Sequence, residues 1–212
     1  MKLIWHGHSC FEMDFAGGPR VIADPFDEKV GYPLCTAQAD IVTNSHAHMD
    51  HNYNASVGGD FTRLNRAGTF AFSDITITAV PSFHDDAGGA KRGANLLFLY
   101  EAEGLKIAHL GDLGHMPDDA QFAALENADV MLLPIGGYYT IDTPTALSLI
   151  ARAKPRVAVA MHFKTPAMDF PISDERAFAA ATGAHYPRAR EIEITRANLH
   201  SLPAAIILDP PQ

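Results

Sequence analysis

The sequence has little cysteine, no long apolar run and fewer basic than acidic residues. Only two of its 212 residues are cysteines, Cys10 and Cys35, so no disulfide framework is expected, and free thiols in a reducing cytoplasm are the simplest interpretation. No segment approaches the roughly 18 consecutive apolar residues of a transmembrane helix. The N-terminal segment "MKLIWHGHSCF" lacks the apolar centre of a signal peptide. We therefore expect a cytoplasmic protein that does not bind membranes.

The shortage of basic residues limits the partners. Lysine and arginine number 16 against 25 acidic residues, and the net charge is −9. Nucleic acids and anionic membranes are bound by basic surfaces, so an acidic chain argues against a broad surface of that kind, although not against a local basic pocket. We expect a small-molecule substrate and no nucleic acid, and composition leaves the oligomeric state open.

The chain also lacks linkers rich in Pro, Gly or Ser, low-complexity tracts and internal repeats. Its length and its 47% hydrophobic content suit one domain with a sizeable core, residues 1–212. Short apolar runs between turn residues predict strands at Lys2–Trp5, Cys10–Phe15, Val21–Ala23, Ile41–Asn44, Asp74–Val80, Ala94–Glu101 and Leu105–Leu110.

The second half alternates helical and strand patterns. Helices are predicted at Asp118–Asn127, at Asp142–Ala153 with Asp142 or Thr143 as N-cap, and at Ser173–Thr182, and strands at Val130–Pro134, Val157–His162 and Ala204–Leu208. Mixed sheets with helices packed outside them fit this order of elements.

One short segment, "TNSHAHMDHN", holds four potential metal ligands: His46, His48, Asp50 and His51. Imidazole nitrogens and carboxylate oxygens are the ligands that zinc and similar divalent metals take in proteins. Residues two apart in an extended segment point the same way, so His46 and His48 are predicted to reach one metal, and the next pair a neighbouring one. The alternative is a solvated polar loop, and the pattern H-x-H-x-D-H favours metal over it.

The "HAHMDH" motif resembles the signature of the metallo-β-lactamase superfamily of metal-dependent hydrolases, in which the cluster follows a buried strand. The family's later ligands are a histidine, a bridging aspartate and a last histidine, matched in order by His84 in "VPSFHDD", Asp112 in "IAHLGDLG" and His162 in "VAVAMHFKT". The resemblance implies one metal held by His46, His48 and His84, a second held by Asp50, His51 and His162, and Asp112 as the bridge between them.

The resemblance also implies the fold, the cofactor and the activity. The fold would be of the α+β class, a four-layer αβ/βα sandwich with two mixed β-sheets and the metals at one edge. Two divalent ions, zinc in the first place and manganese or iron as alternatives, would supply a metal-bound hydroxide that attacks a small ester, lactone or phosphoester. Asp50 would orient the water and carry a proton. "GHSCF", "GDLGH" and "PIGGYYTID" further resemble the branch that includes ascorbate-phosphate lactonase-like proteins.

Two other function classes stay open. The first is an iron-dependent oxidoreductase on the same fold, since some relatives hold iron with similar ligands. The second is a non-catalytic metal-bound or scaffolding protein, against which the complete ligand set argues. The identity of the bound metal separates the first alternative from a hydrolase, because zinc or manganese supports hydrolysis and redox-active iron supports the oxidoreductase.

Three further residues are candidate substrate contacts. His8 follows the first strand and is expected at the rim of the site, unless it only completes a turn. Arg92, beside Lys91 in "GGAKRGAN", could bind an anionic substrate, although adjacent charges on a glycine-rich loop are more often simply solvated. Lys164 lies two residues beyond His162 and is expected to face the cleft.

The remaining candidates have two interpretations each. His115 could orient Asp112 or close a turn, and Tyr138 and Tyr139 could line the pocket or serve packing. The other histidines have no functional assignment: His6 and His109 are expected in strands, in the core or on the surface, and His185 and His200 on the surface.

Overall fold

Thirteen strands form two β-sheets in the structure, a computed structural model that describes residues 1–211. The predicted domain boundary at Gln212 lies outside the described residues. In chain order the strands are β1 Lys2–Gly7, β2 Cys10–Asp14, β3 Arg20–Ala23, β4 Ile41–Thr43, β5 Thr62–Leu64, β6 Gly68–Ala71, β7 Thr76–Phe83, β8 Ala94–Ala102, β9 Leu105–His109, β10 Val130–Pro134, β11 Val157–Met161, β12 Glu191–Glu193 and β13 Ala205–Ile206.

Both sheets are mixed. The first has the order β12-β1-β2-β3-β4-β5, with antiparallel pairing from β12 to β3 and parallel pairing from β3 to β5. The second has the order β13-β11-β10-β9-β8-β7-β6, with parallel pairing from β13 to β9 and antiparallel pairing from there to β6. The predicted α+β class with two mixed sheets is confirmed.

The alternation of side chains divides the first sheet between two apolar clusters. Phe11 and its equivalents on neighbouring strands join the larger core, which also contains residues from the second sheet. Ile22 and Val42 face the other way and pack with Phe26 and Tyr32 from the loop after β3. That second cluster, as far as residues 1–211 show it, is covered by loop segments and not by an α-helix.

Three α-helices are present among residues 1–211: α1 Asp119–Leu125, α2 Thr143–Ala153 and α3 Arg176–Thr182. Each buries side chains in the larger core, for example Phe122, Leu149 and Phe178. The N-cap of α2 is Asp142, whose carboxylate accepts a hydrogen bond from the backbone N–H of Thr145 at 2.9 Å. None of these helices has the length and hydropathy needed to cross a bilayer.

Helix α3 begins three residues later than predicted. The backbone N–H of Ser173 donates to the carbonyl of Gly136, and the carbonyl of Ser173 accepts from the N–H of Lys164. These bonds tie the segment before the helix to the loops around the site. Ser173 therefore cannot begin the helix, although its residue type is a good cap.

Candidate metal centre

The segment with the four candidate ligands follows β4 directly. The alternation of its histidines predicted an extended conformation, but the segment is not extended. From Ser45 to His51 the chain forms a series of bends ending in a turn. His46 and His48 nevertheless converge, with 3.0 Å between His46 Nε2 and His48 Nδ1. The predicted pairing of these two side chains is thus reached by a bent loop that turns one ring toward the other.

The other three ligand candidates come from the second sheet. His84 directly follows β7, His162 directly follows β11, and Asp112 lies three residues after β9. The Asp112 carboxylate is at the centre of the cluster: its Oδ2 lies 3.1 Å from His84 Nε2 and 3.3 Å from His162 Nε2. Its Oδ1 lies 3.1 Å from His51 Nε2. All seven predicted ligands therefore lie in one cluster at the edge where the two sheets meet.

Three strands end at the site in the same unusual way. The residues that directly follow β1, β3 and β11 are His8, Asp24 and His162, and their φ angles are +53°, +47° and +49°. The left-handed conformation costs a residue with a side chain roughly 1–2 kcal/mol. It turns the chain sharply, so each side chain leaves the strand direction and points into the cluster. Strain of this kind is concentrated at functional sites.

Both glycines of the "GDLG" segment lie where close packing leaves no room for a Cβ. A Cβ on Gly111 would lie 2.4 Å from Asn95 Oδ1, and one on Gly114 would lie 2.3 Å from the backbone carbon of His84. Asn95 Oδ1 also accepts a hydrogen bond from the backbone N–H of Asp112 at 3.0 Å. The glycines thus let the Asp112 loop pack directly on the elements that carry the other ligands.

Asp24 is a site residue that the sequence analysis missed. It is buried, its Oδ2 lies 2.8 Å from His51 Nδ1, and it accepts hydrogen bonds from the backbone N–H and the hydroxyl of Ser45. A carboxylate behind a metal-binding histidine fixes the orientation of the ring and the nitrogen that faces the metal. The available signal was its position at the end of an apolar strand, the same position that identified Asp112.

Carboxylates surround the buried His51 imidazole. Burial lowers the pKa of a histidine, but three nearby carboxylates outweigh burial and raise the pKa of His51 well above its usual 6.5. They belong to Asp112, Asp50 and Asp24. This part of the cluster favours a positive charge, whether a proton or a metal ion.

His46 and Asp112 have the protonation states of metal ligands. Burial, with the charge of His51, lowers the pKa of His46 to about 3. Burial opposes ionisation of Asp112, yet the nearby His162 and His51 bring its pKa well below the usual range. Neutral imidazoles and ionised carboxylates are the forms that bind metals.

Several buried polar atoms at the centre of the cluster have no hydrogen-bond partner within residues 1–211. They include Nε2 of His51, Nε2 of His162 and Oδ1 of Asp112. A buried polar atom without a partner costs about 1–3 kcal/mol. These atoms face one another, so one or more cations among them would satisfy all three. The donor set of imidazoles and carboxylates suits zinc, and the residues present therefore fit a metal centre.

His8 does not lie at the rim, where the sequence analysis expected a substrate contact. It is fully buried, its Nε2 lies 3.2 Å from Asp50 Oδ2, and its ring centroid lies 4.1 Å from that of His162. Burial, with the charge of His162, lowers the pKa of His8 to about 4. Its position beneath the cluster makes it a partner of Asp50 and of the candidate metal ligands, and a substrate could not reach it.

Arg92 and Lys164 have different surroundings. Arg92 lines the cleft above the cluster, with its guanidinium carbon 5.4 Å from the ring centroid of Tyr139. The Lys164 ammonium donates to the carbonyl of Phe170 at 3.0 Å and does not line that cleft. Lys164 was expected to face the cleft. It instead holds in place the loop that carries Phe170, and the ring of Phe170 lines the cleft.

The two open interpretations of His115 and of the tyrosines are resolved. His115 Nδ1 donates to the carbonyl of Met116 and its Nε2 accepts from the N–H of Phe83, so it closes a turn. Tyr139 lines the cleft, while Tyr138 is 66% exposed beside it.

The histidines without a functional assignment lie away from the centre or behind it. His109 is buried and bonded to the carbonyl of Ser9, His6 pairs with Glu12, and His185 and His200 are exposed as expected.

Comparison with known proteins gives a consistent result. A family model described as a beta-lactamase superfamily domain matches residues 2–162. The chain is 29% identical over 210 residues to the UPF0173 metal-dependent hydrolase of Thermoplasma acidophilum, which covers 86% of this chain and 91% of that protein.

Solved structures agree on the fold. A crystal structure of a metallo-beta-lactamase superfamily protein from Thermotoga maritima gives a TM-score of 0.83 at 30% identity, covering 98% of this chain and 97% of that one. Igni18, a metallo hydrolase from Ignicoccus hospitalis, gives 0.67 at 22% identity over 99% of this chain and 95% of that one, a likeness of fold alone. The predicted sandwich fold is confirmed.

Proposed function

Because the chain belongs to the metallo-β-lactamase superfamily of metal-dependent hydrolases, we propose that it is a dinuclear enzyme acting on a small ester, lactone or phosphoester. One observation carries the proposal. The buried Asp112 carboxylate lies among four imidazoles from both sheets, those of His46, His51, His84 and His162, at 3.1–3.9 Å. A single carboxylate close to so many imidazole nitrogens supports the proposed role of Asp112 as a bridge between two ions.

The proposed ligands divide into two groups around that bridge. His46, His48 and His84 have nitrogens within 4.8 Å of one another and would hold the first ion. Asp50, His51 and His162 lie in a second such group, which also includes His8. Zinc suits this donor set best, and manganese or iron could use the same ligands.

Asp50 is the proposed proton carrier. When bound, two divalent ions supply a hydroxide nucleophile at neutral pH and polarise the scissile carbonyl or phosphoryl group. The Asp50 carboxylate lines the cleft. Burial opposes its ionisation, but His51 and His8 bring its pKa below the usual range, so the carboxylate is ionised. In that form it would take a proton from the attacking water and deliver it to the leaving oxygen.

His8 and the aromatic wall have supporting roles in this proposal. The hydrogen bond from His8 fixes the direction of the Asp50 carboxylate. Tyr139 and Phe170 form one side of the cleft and exclude water from it. Exclusion of water strengthens the electrostatic interactions between the site and a developing negative charge.

The test compares variants of two central ligands with a matched control. His46→Ala and Asp112→Ala should each abolish hydrolysis across a panel of 4-nitrophenyl esters, lactones and phosphodiesters and should reduce bound metal. His200→Ala removes an exposed histidine and should change neither. Full activity in either ligand variant, or no hydrolysis of any panel member by the metal-loaded natural protein, would refute the proposal.

A further inference from the structure

A cleft of about 320 Å³ opens above the candidate metal centre. His48, Asp50, His84 and Asp112 form its inner part, and Met49, Lys91, Arg92, Tyr139 and Phe170 line the rest. Small-molecule sites range from roughly 300 to 1,000 Å³, so this cleft lies at the small end of that range. It suits a compact molecule and would admit only the tip of a polymer.

The cleft has one uncompensated cation. Among the described residues, Lys91 and Arg92 are its basic side chains, and the Lys91 ammonium lies 2.6 Å from an Asp86 carboxylate oxygen at the exposed rim. Within residues 1–211, the Arg92 guanidinium has no carboxylate oxygen within 4.0 Å. Its donors are therefore available, and a guanidinium binds carboxylate or phosphate oxygens in pairs.

A buried carboxylate fixes the position of Arg92. Asp85 accepts hydrogen bonds from the backbone N–H groups of Arg92, Ala87, Gly89 and Lys91 at 2.7–2.9 Å. Because Asp85 directly follows the ligand candidate His84, the loop that carries Arg92 is anchored to the metal centre. The backbone of Arg92 is thus held close to the candidate metal centre.

An aromatic wall faces the cleft beside this arginine. The ring centroids of Tyr139 and Phe170 are 6.1 Å apart, and Arg92 packs over the ring of Tyr139. The Phe170 ring also lies 5.6 Å from the ring of His8 beneath the cluster. The cleft therefore offers an apolar face and a positive charge to the same bound molecule.

We infer, on the basis of the proposed function, that the substrate is a small ester or lactone whose acyl part carries a second, anionic group bound by Arg92. An apolar portion of the substrate lies against Tyr139 and Phe170, and the scissile carbonyl lies over Asp50 and Asp112. Water adds across the acyl C–O bond: its hydroxyl goes to the acyl carbon and its proton to the leaving oxygen. A carboxylate and a phosphate offer the arginine the same oxyanion chemistry.

The experiment uses metal-loaded protein and esters matched in size. The mono-4-nitrophenyl ester of succinate is compared with 4-nitrophenyl pentanoate, which is neutral, and with 4-nitrophenyl 3-phosphonopropanoate. In Arg92→Met, the ratio of kcat/KM for an anionic over the neutral ester should fall about 10- to 100-fold, mainly through KM, the range expected for a lost charge-assisted hydrogen bond. Whichever anionic ester shows the larger loss identifies the preferred anion.

The matched control is Lys91→Met, which removes one positive charge from the same loop but from an ion-paired side chain. In Lys91→Met, the ratio of kcat/KM for an anionic over the neutral ester should change less than about threefold, because a solvent-exposed ion pair contributes little. An equal loss in both variants, or an unchanged ratio in Arg92→Met, would overturn the assignment of Arg92 while leaving ester hydrolysis intact.

A failure of the proposed function is recognised separately. If the metal-loaded natural protein hydrolyses none of the three esters, calorimetric titration with succinate and with 3-phosphonopropanoate tests the anion site alone. Binding of either anion that Arg92→Met weakens at least about tenfold, with Lys91→Met unaffected, upholds the anion site without ester hydrolysis. Equal affinity in the three proteins, or no binding, overturns it.

Discussion

Asp24 illustrates how a single buried side chain controls the geometry of the candidate centre. Its two oxygens accept hydrogen bonds from the N–H and the hydroxyl of Ser45 and from His51 Nδ1, at 2.6–2.8 Å. Burial opposes ionisation of Asp24, but His51 lowers its pKa, and the carboxylate stays charged. With its Nδ1 bonded to Asp24, His51 presents Nε2 to the metal position.

Replacing Asp24 should therefore weaken metal binding without removing a ligand. In Asp24→Asn the negative charge behind His51 is lost, and we expect the affinity for zinc to fall about 10- to 100-fold. Competition with a chromophoric chelator measures this affinity. Asp60→Asn, which changes an exposed carboxylate by the same charge, is the control and should bind zinc as the natural protein does. Equal affinities for Asp24→Asn and the control would contradict the role of Asp24.

His6 gives a pH-dependent prediction away from the centre. Burial lowers its pKa, but the neighbouring Cys35 and the hydrogen-bonded Glu12 outweigh burial and raise the pKa of His6 to about 9. A folded-state pKa above the unfolded value of about 6.5 stabilises the protein fully below pH 6.5, and this stabilisation is lost as the pH rises through 9.

The expected result is that His6→Gln lowers the free energy of unfolding at about pH 6 and lowers it much less at about pH 9.5. Urea unfolding at both pH values provides the measurement. His200→Gln, at an exposed position, should show no such pH-dependent difference. A His6→Gln effect of the same size at both pH values would show that the imidazole does not titrate as described.

Prediction from sequence worked best for the residues whose neighbours share their chemistry. His46, His48, Asp50 and His51 stand together in the sequence, so a local pattern was enough to bring them to attention. The position of His8 depends on a left-handed turn, with φ of +53°. The local sequence does not predict this turn, since positive φ is uncommon in residues other than glycine. It was therefore expected at the rim and lies at the base of the cluster.

At the scale of elements, the loop after β9 is the most tightly constrained part of the site. Gly114 packs so closely on His84 and Asp85 that a Cβ would lie 2.3 Å from their backbone atoms. Neither backbone can move away without shifting a ligand.

Gly114→Ala should therefore both destabilise the protein, by about 1–3 kcal/mol as other overpacking changes do, and reduce metal binding. Thermal unfolding and metal content measure the two effects. Gly17→Ala is the control, because its Cβ would meet no atom within 4 Å although its φ is +75°. It should cost stability and leave metal content unchanged. Normal metal content in Gly114→Ala would contradict the close packing.

The strands that were not predicted are short edge strands. β12 and β5 lie at the two edges of the first sheet and β6 at one edge of the second. Each has three or four residues, and most of their side chains are at least partly exposed. A strand paired on one side and solvated on the other carries little hydrophobic alternation. The central strand β10 is buried throughout and was predicted to the residue.

At the scale of the whole molecule, the ligand candidates come from both sheets. The four in the segment after β4 belong to the first sheet, while His84, Asp112 and His162 belong to the second. Metal bound between them would connect the two halves of the sandwich in the folded state alone. A ligand present at about 1,000 times its Kd stabilises a protein by roughly 4 kcal/mol.

Removal of metal by a chelator should therefore lower the Tm by on the order of 10 °C, for a chain of this length. Calorimetry before and after dialysis against chelator measures this shift, and added zinc should reverse it. The same treatment of His162→Ala should produce a smaller shift, because one connection to the second sheet is already lost. A Tm that does not respond to chelator in a metal-containing preparation would contradict a metal connection between the two sheets.

The sequence could predict the order of the ligands along the chain but not the walls of the cleft. The ligands follow strands, so their convergence at one sheet edge follows from the fold. Arg92 and Phe170 lie on loops whose paths are set by tertiary contacts, namely the buried Asp85 carboxylate and the Lys164 ammonium. Nothing local in the sequence shows that Arg92 is left without a carboxylate partner in the cleft while Lys91 is paired with Asp86 at its rim.

The metal content of the protein tests the central claim most directly. Protein purified without added metal, and the same protein after reconstitution, would be analysed by inductively coupled plasma mass spectrometry. We predict about two zinc or manganese ions per chain, and about one or fewer in Asp112→Asn, since the bridge is then weakened. No bound metal after reconstitution would contradict the metal centre, and redox-active iron as the native metal would contradict its assignment to hydrolysis.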